Sequence, residues 1–260
     1  MNQKLLGKTG VKISEIGLGT WQYRGDIEAL RVGIAQGATH IDTAEIYGTE
    51  GVVGEAIEGL RDKAFLATKV SPSHLHYDDV LKAADGSLKR LGVKIIDLYQ
   101  IHWPNSRIPI KETMSAMEEL VKQGKIRYIG VSNFSVRELK EAQEAMSSQE
   151  IVSNQVEYNL QNREIERDLL SYCQSQKITI IAYSPLNRGH VSPGKNSILD
   201  KIASKYDKTR VQVVLNFLTA RENVVAIPKS DNIDHVNENC GASGWRLSLD
   251  DIKQIVQSFK

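Results

Sequence analysis

Cys173 and Cys240 are the only cysteines in 260 residues, too few for a disulfide framework. A small scaffold held together by bridges is excluded, and a reducing compartment suits the chain. Neither sign of charge is in excess: 33 Lys and Arg face 32 Asp and Glu, a formal charge of +1. Nucleic acid and anionic membrane surfaces recruit a basic excess, so neither is an expected partner. No run approaches the roughly 20 apolar residues of a spanning helix. Residues 1–19 alternate polar and apolar types without a continuous apolar stretch, so no signal peptide is expected and the cytoplasm is the default location. Low-complexity tracts, proline-rich linkers and motif-level repeats are lacking too.

The composition, 41% hydrophobic and 25% charged, excludes a wholly disordered chain. Short runs rich in Ile and Val alternate with longer amphipathic stretches. A turn, Gly7-Lys8-Thr9-Gly10, joins strands at 4–6 and 11–13 and reads as a hairpin. Eight further strands are expected at 15–18, 40–42, 64–69, 96–101, 126–131, 152–155, 179–183 and 224–227. Helices are expected between and after them at 27–36, 51–60, 78–91, 110–123, 136–146, 163–175, 197–206, 211–220, 232–239 and 248–259. Such alternation implies parallel strands with right-handed crossovers. Eight units in about 250 residues point to an α/β fold, a (β/α)8 TIM barrel forming one domain over 1–260.

A doubly wound open sheet is the alternative. It would carry fewer strands and a glycine-rich phosphate loop after the first. Gly17-Leu18-Gly19-Thr20-Trp21 holds only two glycines of the dinucleotide fingerprint, Gly25 falls too late, and the helix starts near Asp26. A dinucleotide would not bind in that mode.

In such a barrel the active site lies at the C-terminal strand ends. Those ends carry Asp42, Lys69, His102, Ser132-Asn133, Asn154-Gln155, Tyr183-Ser184 and Pro228-Lys229-Ser230. Tyr47 follows Asp42 by five residues, close enough to fold back over the mouth. A buried Lys beside an Asp stays charged, because the pair offsets desolvation. A cationic Lys beside a phenol is expected to lower its pKa from about 10 and make it a general acid–base. A nearby histidine can orient a carbonyl oxygen. The set suits protonation of an oxygen on which negative charge develops.

With these residues in view, the sequence resembles the aldo-keto reductases from Gly17 to about Asn239. The resemblance is carried by Gly17-Leu18-Gly19-Thr20-Trp21, the run from Asp42-Thr43-Ala44 to Tyr47-Gly48, Thr68-Lys69 and Ile101-His102-Trp103-Pro104. Further motifs are Gly130-Val131-Ser132-Asn133-Phe134, Asn154-Gln155-Val156-Glu157-Tyr158, Tyr183-Ser184-Pro185-Leu186 and Ile227-Pro228-Lys229-Ser230. The resemblance implies a barrel closed at its base by the N-terminal hairpin. It implies an NADPH-using reductase of small aldehydes and ketones. Asp42, Tyr47, Lys69 and His102 match the family's catalytic positions, with Tyr47 as proton donor, Lys69 and Asp42 tuning it, and His102 orienting the substrate. Ser132, Asn133 and Gln155 match the carboxamide contacts, Tyr183 the ring that stacks on the nicotinamide, and Ser184 and Leu186 the pyrophosphate side. Lys229, Ser230, Glu238 and Asn239 match the adenosine end. Thr20, Trp21, Asp42, Pro185, Ile227 and His235 complete the expected cofactor set, and Trp21, Tyr47, His102 and Trp103 the substrate set. A monomer is expected.

One position departs from the family pattern. His235 stands where members preferring NADPH usually carry arginine, and it forgoes the bidentate phosphate geometry and permanent charge. Asp231 would repel a phosphate, whereas Lys229, Ser230 and a helix N-terminus favour one. NADP(H) is expected to be preferred, with NAD(H) accepted more readily than usual. Little chain follows Asn239, so an open, shallow substrate pocket is expected, with Trp21, Tyr23, Trp103, Asn187 and Arg188 contributing.

Some of these residues admit another reading. Lys69 alone could be a Schiff-base lysine, but Tyr47 and His102 argue against it. His74-Leu75-His76 could suggest a metal, but lacks a nearby third ligand, and no metal is expected. A nucleotide-binding, redox-sensing subunit with little turnover is the alternative function.

Overall fold

The computed structural model describes residues 1–191 and 198–259. Strands β1 (Gln3–Leu5) and β2 (Lys12–Ser14) form an antiparallel hairpin. Eight parallel strands follow: β3 (Leu18–Gly19), β4 (His40–Asp42), β5 (Phe65–Val70), β6 (Ile96–Ile101), β7 (Ile126–Ser132), β8 (Ile151–Glu157), β9 (Thr179–Tyr183) and β10 (Val224–Ala226). Each pairs with its sequence neighbours. Parallel bridges Ile16↔Ala226 and Gly19↔Lys229 join the first to the last and close the barrel.

That seam explains the two glycines after residue 16. A Cβ on Gly17 would lie 2.6 Å from the His40 carbonyl oxygen, and one on Gly19 would lie 2.7 Å from that of Ile227. Only a residue without Cβ lets these backbones approach. Gly17 N–H donates to Ala226 O at 2.8 Å and Gly19 N–H to Pro228 O at 3.0 Å. The pair closes a barrel instead of cradling a pyrophosphate.

The helices are α1 (Ile27–Ala35), α2 (Glu50–Ile57), α3 (Tyr77–Leu91), α4 (Ile110–Lys122), α5 (Val136–Glu144), α6 (Leu169–Gln176), α7 (Ile198–Tyr206), α8 (Arg210–Thr219), α9 (Ile233–Cys240) and α10 (Leu249–Ser258). Among the described residues, five starts, those of α1, α5, α8, α9 and α10, carry side-chain caps that satisfy orphan N–H groups. Asp26 caps α1, and Ser135–Glu138 and Thr209–Gln212 form capping boxes on α5 and α8. The helix expected at 163–175 is split: Glu164–Glu166 is a 3-10 turn, and Asp168, at φ −149°, breaks the path before α6. Glu166 is held to the barrel by Tyr158 and Arg221, which pins the turn apart from the helix. Ser197, the expected first residue of a helix, lies outside the described residues.

The core has two parts. The larger lies between sheet and helices. The smaller fills the barrel: Ala67, Leu98, Val152, Ile181, Val225 and Ile227 pack with Leu6 and Ile13 of the hairpin segment. The hairpin therefore plugs the base, and Gly7 N–H fastens it to Thr179 Oγ1 at 2.8 Å.

His40 stands inside this base. Its ring lies edge-on to Phe65 at 5.7 Å, and neither ring nitrogen has a partner. Burial pushes its pKa down to about 4, so the ring is neutral in the folded state. The unfolded chain takes up this proton near pH 6.5, and stability is lost as pH falls from there towards 4. The stability of the wild type is expected to drop by about 3 kcal/mol more than that of His40→Leu between pH 7 and 4. Urea unfolding at both pH values measures this, and parallel slopes would remove His40 as the cause.

Candidate active site

The C-terminal strand ends converge on one polar cluster. Lys69, fully buried on β5, donates from Nζ to Asp42 Oδ1 at 2.6 Å and to Thr43 O at 2.9 Å. Asp42 ends β4, and its other oxygen accepts from Gln155 Nε2 at 2.7 Å and Gln100 Nε2 at 3.3 Å. A carboxylate and an ammonium both removed from water persist only when paired and hydrogen-bonded, and here both conditions hold. Burial opposes the charge on Lys69, but Asp42 and Tyr47 outweigh it and raise its pKa.

Above this pair lies Tyr47, in the 3-10 turn Glu45–Tyr47. Glu45 holds the turn against the next loop by accepting from Ser71 N–H at 2.9 Å. The Tyr47 hydroxyl is 3.5 Å from Lys69 Nζ and 3.3 Å from His102 Nε2. The expectation that Lys69 lowers the tyrosine pKa is corrected in its net sign. Burial raises the Tyr47 pKa and dominates; the nearby Lys69 charge opposes it without reversing it. The phenol is therefore held in its proton-bearing form at neutral pH.

Burial, reinforced by Lys69, pushes the His102 pKa down to about 4, so its ring is neutral. Its Nδ1 is buried without a partner. Placing the proton there would orphan a donor, the costlier error. The proton therefore belongs on Nε2, beside the Tyr47 hydroxyl. An oxygen placed between them can accept from both.

These groups form the floor of a cleft of about 800 Å³. It is lined by Thr20, Trp21, Asp42, Tyr47, His102, Trp103, Ser132, Asn133, Gln155, Tyr183, Ser184, Pro185, Leu186, Ile227, Lys229, Ser230, His235, Glu238 and Asn239. Of the expected catalytic and cofactor-binding residues, Lys69 alone is not a wall; it lies beneath. Ser132 Oγ donates to Gln155 O at 2.9 Å, and Asn133, left-handed at φ 64°, accepts from the Tyr183 hydroxyl at 3.0 Å. Its Nδ2 donates to His102 O at 3.1 Å, joining three strand ends.

Two expected walls are not walls. Tyr23 is buried, its hydroxyl donating to Asp26 O at 2.6 Å, and Asn187 does not line the cleft. Conversely, Gln100 was missed, although period-2 alternation from Leu98 through Gln100 to His102 points it inward. Ile46 was missed as well; its signal is a large apolar residue in a polar loop, and it stands exposed at the rim with Trp21 and Trp103. No described residue beyond Asn239 lines the cleft. His74 and His76 take separate carboxylates, Glu45 and Glu112. Among the described residues no helix is long and apolar enough to cross a membrane.

A barrel with this constellation at its mouth defines a class. The Aldo/keto reductase family model matches residues 15–259, and the chain belongs to that family. Among its relatives is methylglyoxal reductase YeaE of Escherichia coli (strain K12), 38% identical with 100% of this chain and 96% of that protein covered. A thermostable aldo-keto reductase solved with the inhibitor epalrestat is 45% identical, with a TM-score of 0.94 and 99% of both chains covered. An aldo/keto reductase from Klebsiella pneumoniae, solved with NADP and acetate, is 36% identical, with a TM-score of 0.93, covering 100% of this chain and 96% of that one.

Proposed function

We propose that this chain reduces small aldehydes and ketones to alcohols with NADPH, and that Tyr47 supplies the proton. The observation that carries the reading is a proton-bearing phenol 3.3 Å from a neutral imidazole, above the buried Asp42–Lys69 pair. As a family member the chain is an NADP-dependent oxidoreductase. When bound, NADPH supplies the hydride to the carbonyl carbon. His102 Nε2 and the Tyr47 hydroxyl hold the carbonyl oxygen. Tyr47 gives its proton as charge grows on that oxygen, and the Lys69 ammonium stabilises the phenolate left behind.

The cleft fits the coenzyme. Gln155 commits Nε2 to Asp42, so its Oε1 is the acceptor for a carboxamide N–H. Tyr183 offers a half-buried ring held by Asn133. Lys229, Ser230 and the start of α9 take the adenosine end. That end receives a phosphate less readily than the residue types suggest. Lys229 Nζ is paired with Asp231 Oδ2 at 2.5 Å, and Asn232 Oδ1 already accepts from Asp234 and His235 N–H at 2.7 and 3.3 Å. NADP(H) is preferred and NAD(H) is accepted.

The test is oxidation of NADPH and NADH with an activated aromatic aldehyde, followed at 340 nm. Turnover with an NADPH preference is expected, and His235→Arg is expected to raise the NADPH to NADH ratio of kcat/KM roughly tenfold through a charge-assisted bidentate contact. NADPH binding with no aldehyde turned over would favour the redox-sensing reading. The proposal extends to a monomer in the cytoplasm. Cys173 and Cys240 are buried thiols whose pKa burial raises, which suits a reducing compartment.

A further inference from the structure

Among the described residues, the cleft wall holds one cation with no counter-ion. Arg188 lines the cleft, its Cζ 5.3 Å from the centre of the Trp21 indole. Lys229, the other basic chain on the wall, is held by Asp231. Arg188 makes no ion pair or hydrogen bond among the described residues, and residues 192–197 contain no Asp or Glu. Stacking on an indole uses the face of a guanidinium and leaves its N–H edges free. All five donors are therefore available to a ligand.

The backbone holds the side chain there at a cost. Ser184, Asn187 and Arg188 adopt φ of 46°, 45° and 55°. Non-glycine residues are rarely left-handed, and three in five positions is strain that the surrounding structure must hold. The Arg188 charge reaches the Tyr183 phenol, whose pKa also responds to Tyr47. The guanidinium is thus within electrostatic reach of the ring bordering the reacting groups. Around it, Trp21, Ile46 and Trp103 form an exposed apolar rim.

We propose that Arg188 recognises a carboxylate on the substrate, so that the enzyme favours aldehydes and ketones carrying an anionic group, their apolar body held by the Trp21–Ile46–Trp103 rim. This rests on the carbonyl-reductase reading above. The coenzyme's pyrophosphate is a second source of anionic oxygen, and the experiment separates the two.

Wild type, Arg188→Ala and Arg188→Lys are compared on 4-formylbenzoate and on its methyl ester, which keeps the ring and loses the charge. The acid-to-ester ratio of kcat/KM is expected to fall at least tenfold in Arg188→Ala and much less in Arg188→Lys, which keeps a point charge. The NADPH dissociation constant, titrated without aldehyde, is expected to stay within twofold. Benzoate binding to the NADPH-loaded protein by calorimetry reads the same contact without turnover, and a tenfold loss is expected in Arg188→Ala. An unchanged ratio together with unchanged benzoate binding overturns the proposal. So does a weaker NADPH affinity with equal losses on acid and ester, which would assign the charge to the pyrophosphate. Failure of wild type to reduce either aldehyde would count against the reductase reading alone, and benzoate binding would still decide on Arg188.

Discussion

Tyr47→Phe is expected to lower kcat for aldehyde reduction roughly 10²–10⁴-fold, the usual contribution of a positioned general acid, with little effect on folding. The change deletes one oxygen. Its contacts in the protein are long, 3.3 Å to His102 Nε2 and 3.5 Å to Lys69 Nζ, so their loss costs at most about 1 kcal/mol of stability. The ring stays, and with it the edge-on packing against His102 at 5.4 Å. The KM for NADPH should change by no more than a few-fold, since the deleted atom meets the carbonyl oxygen. Steady-state rates at 340 nm and a melting curve on the same sample separate the outcomes. A variant keeping a fifth or more of the wild-type kcat would move the proton donor from Tyr47 to His102.

Several site residues were legible because barrel geometry turns a linear rule into a spatial one. Each strand ends at the same face, so the residues closing 40–42, 64–69 and 96–101 had to meet. Asp42 and Lys69 pair directly, and His102 joins them through the Tyr47 hydroxyl. Strand cores were legible because a strand buried on both faces is a run of apolar residues. The ends were less so: 15–18 is paired mainly at Leu18–Gly19, since β3 is a short strand at the seam. The sign of the Tyr47 pKa shift was not legible. A Lys–Tyr neighbourhood predicts a lowering, but burial is a collective property of the whole mouth, and it prevails. The Asn232 cap and the Lys229–Asp231 pair depend on the path of a six-residue loop, 227–232, which no spacing rule specifies. Arg188 over Trp21 joins loops 167 residues apart in sequence, whose meeting requires both trajectories.

Lys69→Met should do more damage to the fold than Tyr47→Phe and as much to the chemistry. It leaves the Asp42 carboxylate buried, with only the amides of Gln100 and Gln155 to answer its charge. Breaking a buried pair from one side typically costs about 3–5 kcal/mol. The double variant Asp42→Leu with Lys69→Met separates the two roles of the pair. An apolar pair of similar volume can replace a buried ion pair at little cost, so most of the stability should return. Activity should not. Without the ammonium the phenol loses the one neighbouring charge that lowers its pKa. Alcohol oxidation, which needs the phenolate as base, should then switch on at a higher pH than in wild type. Denaturant midpoints and the pH profile of alcohol oxidation measure the two effects on one protein. Recovery of stability with an unshifted profile would show that the pair holds the barrel mouth together without tuning Tyr47.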